Sequence, residues 1–278
     1  MTKLLVGLLG TGIGRSLAPA LHEEEARHHG LRLHYQLIDL AAAPDALAQV
    51  VAAMRLIGFA GFNVTHPFKQ SVIALLDAVS DDARAIGAVN TVVNAGGRLV
   101  GHNTDASGWS WGFRRALLGA DLSTVVLLGA GGAGAACADA VLRLGAGRLL
   151  IHDTDSARAA SLAQRLDARF GAGRARAAAD IAEAMKDASG LIQATPVGMT
   201  GHPGMPLPAS LLRPGIWVSE VVYVPLETEL LAAARRAGCA VMDGGHMNVG
   251  QALGAFRLFT GREPDAARME AHFRRLAG

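Results

Sequence analysis

Glycine occupies the first, third, fourth and sixth places of Gly129-Ala130-Gly131-Gly132-Ala133-Gly134. The apolar run Val125–Leu128 precedes this segment and an Ala-rich stretch follows it. A turn of that kind between a strand and a helix lets the backbone approach phosphate closely and aims the helix's first N–H groups at it. The next apolar run, Leu149–Ile151, leads to an acid, Asp153, 19 residues beyond Gly134. A Gly-rich loop without a ligand accounts for the glycines, but not for strand, helix and acid in register. Together they predict a dinucleotide site. Gly129 makes the tight turn, Gly131 admits the pyrophosphate, and Gly134 lets helix and strand pack. A carboxylate at Asp153 can accept both ribose hydroxyls of NAD, whereas it would repel the 2′-phosphate of NADP. The segment His152-Asp153-Thr154-Asp155-Ser156 adds a second acid and no basic cluster. Arg158 is placed either near the adenine or on the surface. NAD is the expected cofactor.

A second group of polar residues falls where strands should end. These are Asn63-Val64-Thr65-His66-Pro67-Phe68-Lys69, Gly87-Ala88-Val89-Asn90-Thr91 and Gly101-His102-Asn103-Thr104-Asp105. Ligands of α/β folds bind outside the carboxyl ends of strands. Taken singly, each residue has a plainer role: Lys69 a solvated helix lysine, Asp105 a helix N-cap, Asn90 a turn residue.

Strand and helix patterns alternate along the chain, which predicts an α/β protein with a parallel sheet covered on both faces. Lys3–Leu9, His34–Leu40 and Gly61–Thr65 read as strands, and Ala20–His29 and Pro44–Leu56 as helices. Pro67 is expected to open a further helix through about Leu76. Val89–Asn94 and Leu99–Gly101 form a hairpin across Ala95-Gly96-Gly97-Arg98. Further strands are expected at Gly190–Ala194, Trp217–Val222 and Ala240–Met242, and helices over Met247–Thr260 and Asp265–Leu276. Motif placement puts the domain boundary near Ala106–Leu118.

The 278 residues are 51% hydrophobic and 18% charged, which suits a globular chain with a sizeable core. A net charge of +2 with no Lys/Arg run argues against nucleic-acid or anionic-membrane partners. Cys137 and Cys239 lack metal or disulfide spacing, so buried thiols and no metal site are expected. The apolar start is short for a signal peptide and no run spans a membrane, which predicts a cytoplasmic protein.

Considered together, several segments resemble the shikimate dehydrogenase family in the right order over nearly the whole chain. They are Ser16-Leu17-Ala18-Pro19 with His22, the Asn63–Lys69, Gly87–Thr91 and Asn103–Asp105 segments, and the Gly129–Gly134 loop. The others are Ala194-Thr195-Pro196-Val197-Gly198-Met199, Tyr223-Val224-Pro225-Leu226-Glu227-Thr228, and Gln251. Asp153 and Phe256-Arg257-Leu258-Phe259-Thr260-Gly261 look like the NAD-using quinate/shikimate branch. The NADP-using biosynthetic branch usually ends its second strand in Asn-Arg-Thr.

The resemblance implies an oxidoreductase that interconverts shikimate, quinate or both with the 3-dehydro form. It implies a substrate domain over 1–106, with helices 247–278 packing back on it, and a Rossmann domain over 107–246. Lys69 and Asp105 become the catalytic pair. Thr65, Asn90 and Gln251 hold ring hydroxyls, and Ser16 and Tyr223 anchor the carboxylate. Thr195 and Met247 join Gly129, Ala130, Gly131, Gly132, Ala133, Gly134, Asp153 and Arg158 on the cofactor side. Oxidation of a secondary alcohol needs a proton acceptor beside the hydride donor. A Lys next to a carboxylate supplies one and also stabilises alkoxide charge.

Two departures stand out. Ala18 takes a place where many members carry Ser or Thr, and Gln193 takes that of an Asn. The first leaves room for aminoshikimate-type acids. A homodimer is expected on resemblance alone, as is a place in aromatic amino-acid metabolism. Methylenetetrahydrofolate dehydrogenases share the two-domain plan, but the Tyr expected four residues before their Lys is Thr65 here. A non-catalytic NAD-binding sensor would have no need of both Lys69 and Asp105.

Overall fold

The computed structural model describes residues 3–278, and the chain divides into two compact units. The first comprises Met1–Thr104 with Val249–Leu276, and the second Asp105–Asn248 with Ala277–Gly278.

In the first unit the elements run β1 (Lys3–Gly10), α1 (Ala18–His28), β2 (Arg32–Asp39), α2 (Leu47–Ile57) and β3 (Gly61–Val64). They continue as β4 (Ala78–Val79), α3 (Asp81–Ile86), β5 (Thr91–Ala95) and β6 (Arg98–His102). The six strands form one mixed sheet in the order β2-β1-β3-β5-β6-β4. β2, β1 and β3 are parallel, while β5 runs antiparallel to β3 and β6. Alternation along β1 sends Val6 and Leu8 to one core with Tyr35, and Leu9 to the other with Val51, Phe62, Val64 and Val92. Gly96 and Gly97, at φ 64° and 91°, make the two-residue hairpin loop between β5 and β6. Both central positions of that turn need positive φ, which only glycine supplies without steric cost.

The second unit continues with α4 (Asp105–Ala116), β7 (Thr124–Leu128), α5 (Gly132–Arg143), β8 (Arg148–His152), α6 (Ser156–Phe170) and β9 (Ala175–Ala177). It ends with α7 (Ile181–Lys186), β10 (Gly190–Gln193), β11 (Trp217–Glu220), α8 (Glu229–Arg236) and β12 (Ala240–Met242). α9 (Gly244–Thr260) and α10 (Ala266–Ala277) close the chain. All its strands pair in parallel, in the order β9-β8-β7-β10-β11-β12. This is the doubly wound Rossmann order, with its direction switch between β7 and β10. Every residue of β7 is buried, as a strand covered on both faces requires. One face packs Val126, Leu128, Met185, Leu191, Val218 and Leu231 together. Trp109 of α4 stacks on Phe113 at 4.9 Å and donates its indole N–H to Ser219 Oγ at 2.9 Å. Cys137 and Cys239 are both buried free thiols.

The helix expected from Pro67 does not form. Residues 66–70 make turns, and a short 3-10 helix covers Ser71–Leu75. The Lys69 carbonyl, which a helix would spend on its own next turn, instead accepts Val89 N–H at 2.8 Å. The expected Pro44–Leu56 helix is likewise divided, Pro44–Ala46 being 3-10 before α2 begins. Three elements carried too little pattern to be expected: the two-residue β4, the three-residue β9, and α3. α3 starts at an Ser80 N-cap whose Oγ accepts Ala83 N–H. Among the described residues no helix is long and apolar enough to cross a membrane.

His22 lies wholly buried on α1, stacked on Tyr35 at 5.0 Å, with Phe256 and Phe259 at 6.1 and 6.0 Å. Neither ring nitrogen has a hydrogen-bond partner. Burial drives its pKa down to about 4, against a smaller opposing pull from Glu25. The imidazole is therefore neutral in the fold, while the unfolded chain takes up its proton near pH 6.5. Stability from this group is full above pH 6.5 and is lost as pH falls from there toward 4. His22→Phe keeps the stacking and removes the proton uptake. Urea unfolding at pH 8 and pH 5 should show the variant losing about 2 kcal/mol less than wild type between the two. Equal losses would show that the ring is not held neutral.

Candidate active site

In the second unit, the turn after β7 and the turn after β10 meet at the direction switch. Gly129 N–H donates to the His152 carbonyl, and Ala194 N–H to the Leu128 carbonyl, each at 2.8 Å. A Cβ on Gly134 would lie 1.9 Å from the Gly129 carbonyl oxygen, so only glycine allows helix and turn to close on each other. A Cβ on Gly131 would meet nothing within 4 Å. No side chain caps α5 at Gly131. An open approach to an uncapped twelve-residue helix start fits a pyrophosphate. Ala130, Gly132 and Ala133 complete this turn.

Asp153 sits just past β8 at the rim of the same turn. Its Oδ2 accepts Ala130 N–H at 2.6 Å and its Oδ1 accepts Asp155 N–H at 2.8 Å. Asp155 caps α6 through the Ala157 and Arg158 amides. Arg158 turns to Asp155 at 3.2 Å, with 69% of its side chain exposed. Asp153 thus stands at the rim of the turn where the fingerprint puts a ribose, and a second acid, Asp155, follows two residues on.

Gln193, fully buried at the end of β10, shapes the loop that follows. Its Nε2 donates to Thr195 Oγ1 at 2.8 Å and to the Val197 carbonyl at 2.9 Å, and its Oε1 accepts Thr195 N–H at 3.2 Å. Met247, in the first turn of α9, is buried with its sulfur 4.0 Å from Cys137 Sγ. Tyr223 stands in the loop between β11 and α8, three residues after the buried Glu220.

In the first unit, Thr65 follows β3, its N–H donating to the Leu9 carbonyl at 2.9 Å. Lys69 and Asn90 are brought beside it by Val89 N–H on the Lys69 carbonyl and Val64 N–H on the Asn90 carbonyl, both 2.8 Å. Asn90 Oδ1 accepts Thr104 N–H at 2.7 Å, and its Nδ2 donates to Thr104 Oγ1 at 2.9 Å. That clamp fixes the residue immediately before Asp105, which itself opens α4 and is buried. Behind it, Tyr35 O–H donates to Asn63 Oδ1 at 2.7 Å, and Asn63 Nδ2 donates to Thr91 Oγ1 at 2.9 Å. A buried polar network with its partners satisfied is rigid, so these side chains hold Asn90 in one pose.

The Ser16 loop is held from β2. Asp39 accepts the Ala41, Gly12 and Ile13 amides at 2.9, 3.0 and 3.1 Å, and these bonds, that of Ala41 first, keep its carboxyl below the usual range. Ser16 Oγ accepts the N–H of Ala18, the first residue of α1, at 3.3 Å. Gln251 lies on α9, half-buried. Sequence reasoning gave no role to Asp39, Tyr35, Asn63, Thr104 or Glu220. Asp39 and Glu220 had one visible signal, an acid as the last residue of a strand.

Fold and site together define a two-unit α/β oxidoreductase of the dinucleotide-binding type. A family profile described as "Shikimate dehydrogenase substrate binding domain" matches residues 8–92. A "Shikimate dehydrogenase (NADP(+))" of Streptomyces avermitilis is 57% identical, over 99% of this chain and 96% of that one. A "Quinate/shikimate dehydrogenase (NAD(+))" of Corynebacterium efficiens is 44% identical, over 98% of both chains. Among solved structures, the quinate dehydrogenase from Corynebacterium glutamicum in complex with NAD superposes with a TM-score of 0.91 at 42% identity, covering 99% of this chain and 100% of that one. The chain belongs to the shikimate dehydrogenase family.

Proposed function

We propose that this protein interconverts shikimate, quinate or both with their 3-dehydro forms, and that it uses NAD. The environment of Asp153 carries the choice of cofactor. The relatives' names point both ways, NADP(+) for the Streptomyces protein and NAD(+) for the Corynebacterium one. Asp153 stands against the Gly-rich turn, however, a second acid follows it at Asp155, and Arg158 is paired to that second acid. A 2′-phosphate there would meet like charge without a cation to offset it.

In this reading the segment 107–246 holds the nucleotide, and the segment 1–106 with helices 247–278 holds the acid. Gly129 to Gly134 cradle the pyrophosphate, Asp153 accepts the ribose hydroxyls, and Thr195 and Met247 border the nicotinamide. The bound nicotinamide supplies a hydride acceptor. Lys69 and Asp105 take and return the proton of the reacting hydroxyl, and the Lys69 ammonium stabilises negative charge developing on that oxygen. Thr65, Asn90 and Gln251 hold the ring hydroxyls. Ser16 and Tyr223 hold the carboxylate, with Ala18 contributing only its backbone where many relatives offer a hydroxyl.

Steady-state kinetics with shikimate and quinate, each against both cofactors, test the reading. NAD should exceed NADP by at least about a hundredfold in kcat/KM, equivalent to about 2.7 kcal/mol of transition-state binding. Equal efficiencies would overturn the cofactor choice. Absence of turnover with either acid would overturn the substrate and leave a nucleotide-binding protein of other purpose.

A further inference from the structure

Glu220, the last residue of β11, is a fully buried carboxyl group that the proton and hydride chemistry does not use. Three donors converge on it. Val221 and Val222 N–H groups both donate to its Oε1 at 2.9 Å, and the Thr228 hydroxyl donates to its Oε2 at 3.1 Å. The same Thr228 oxygen accepts Leu231 N–H and so caps α8. One carboxylate therefore ties the first two residues of the 221–228 loop to its last. From the other side the loop backbone is pressed against the start of α9, where a Cβ on Gly244 would fall 2.2 Å from the Val222 carbonyl oxygen. Farther along, the Val224 carbonyl accepts Thr200 N–H at 3.0 Å. Tyr223 stands between these fixed points.

We infer that Glu220 is a positioning residue that fixes the 221–228 loop so that Tyr223 presents its hydroxyl to the carboxylate of the ring acid. The donor set suits an acceptor-only group. A glutamine of the same shape can take the two amides on its oxygen, but its NH₂ cannot accept from the Thr228 hydroxyl, whose O–H must turn away and lose this partner. Burial pushes the Glu220 carboxyl up to about 7, against the pull of Val222, Thr228 and Val221. Desolvation is thus the larger influence, and the loop's own donors oppose it by favouring the ionised form, which couples the carboxyl group to the loop's shape. The inference rests on the proposed role of Tyr223, and the experiment separates the two.

The variants are E220Q, Y223F and E220Q/Y223F in the full chain, with T228V as a milder cut of the same clamp should E220Q not fold. Hydrogen exchange of the 221–228 amides needs no substrate, and in E220Q it should quicken by about tenfold or more. In kinetics with shikimate or quinate at saturating NAD, E220Q should raise KM roughly tenfold or more while kcat stays within about threefold, because the carboxylate is remote from the reacting carbon. The double variant should be no worse than Y223F alone, since both changes remove one contact. Unchanged exchange in E220Q, or KM losses that simply multiply in the double variant, would overturn the role of Glu220. A Y223F variant with wild-type KM would overturn the assignment of Tyr223, and exchange would still decide whether Glu220 holds the loop.

Discussion

Lys69→Ala is expected to lower kcat by roughly 10²–10⁴, the usual contribution of a positioned proton-transfer group. Asp105→Asn should do the same. If the two work as a pair, the double variant should be little slower than either single one, because groups that act as a unit are not additive. The fold gives each substitution a clean background. Truncating Lys69 leaves its carbonyl bond to Val89 N–H, which ties this turn to the segment before β5. Asp105→Asn keeps the volume of a buried helix-start residue. NAD affinity should hardly change, since the bonds that shape the Gly-rich turn and Asp153, from Gly129 to His152, Ala194 to Leu128 and Ala130 to Asp153, involve neither Lys69 nor Asp105. The measurement is kcat on the better of shikimate and quinate, beside a direct NAD-binding titration. Retention of most of kcat in Lys69→Ala would remove it from the mechanism. Loss of NAD binding in either variant would mean that the fold, not the chemistry, had been damaged.

The largest stability effect is expected at Arg268. Its guanidinium on α10 grips Glu25 of α1 with two bonds, Nε to Oε2 at 2.8 Å and Nη2 to Oε1 at 2.7 Å. Glu25 has 1% of its side chain exposed, and Asp265 N–H and His29 Nε2 share its Oε1 at 2.8 and 3.0 Å. Burial opposes the charge, yet Arg268, the Asp265 amide and His29 together hold the carboxyl below its ordinary range. Arg268→Ala strips a buried carboxylate of its main cation, a change that costs 3–5 kcal/mol in fully buried pairs. Arg268 is 31% exposed, so water screens part of the loss and about 3 kcal/mol is the expected value. Urea unfolding at pH 7 measures it. Glu25→Gln/Arg268→Ala should recover part of the loss, because no buried charge is then left unpaired. A loss under about 1 kcal/mol would make the pair a surface contact in energetic terms.

What could be read from the chain alone was whatever is written within one turn or one strand. The Gly129–Gly134 turn needs only its own glycines and the strand and helix beside it, and Asp153 follows at the distance one βαβ unit sets. The Gly96-Gly97 hairpin is equally local, since both residues must take positive φ whatever surrounds them. β7 is apolar from Val125 to Leu128 and could be recognised as buried on both faces before any neighbour was known. The family motifs named the polar residues at strand ends, but not what holds them in place.

Tertiary structure decided the rest. Lys69 belongs to a turn and not a helix because Val89, 20 residues on, supplies the donor for its carbonyl. Asn90 is fixed through Thr104, Thr91 and Asn63, and Asn63 in turn by a tyrosine 28 residues before it. Asp39 shapes the Ser16 loop from 27 residues away. Glu220 falls between the two cases, its donors being close in sequence. Its importance comes from burial, which makes each missing partner costly and so turns a short-range contact into a fixed geometry. A local pattern records which conformations a segment favours. Which of its polar groups must be satisfied, and by whom, depends on what the fold takes out of water.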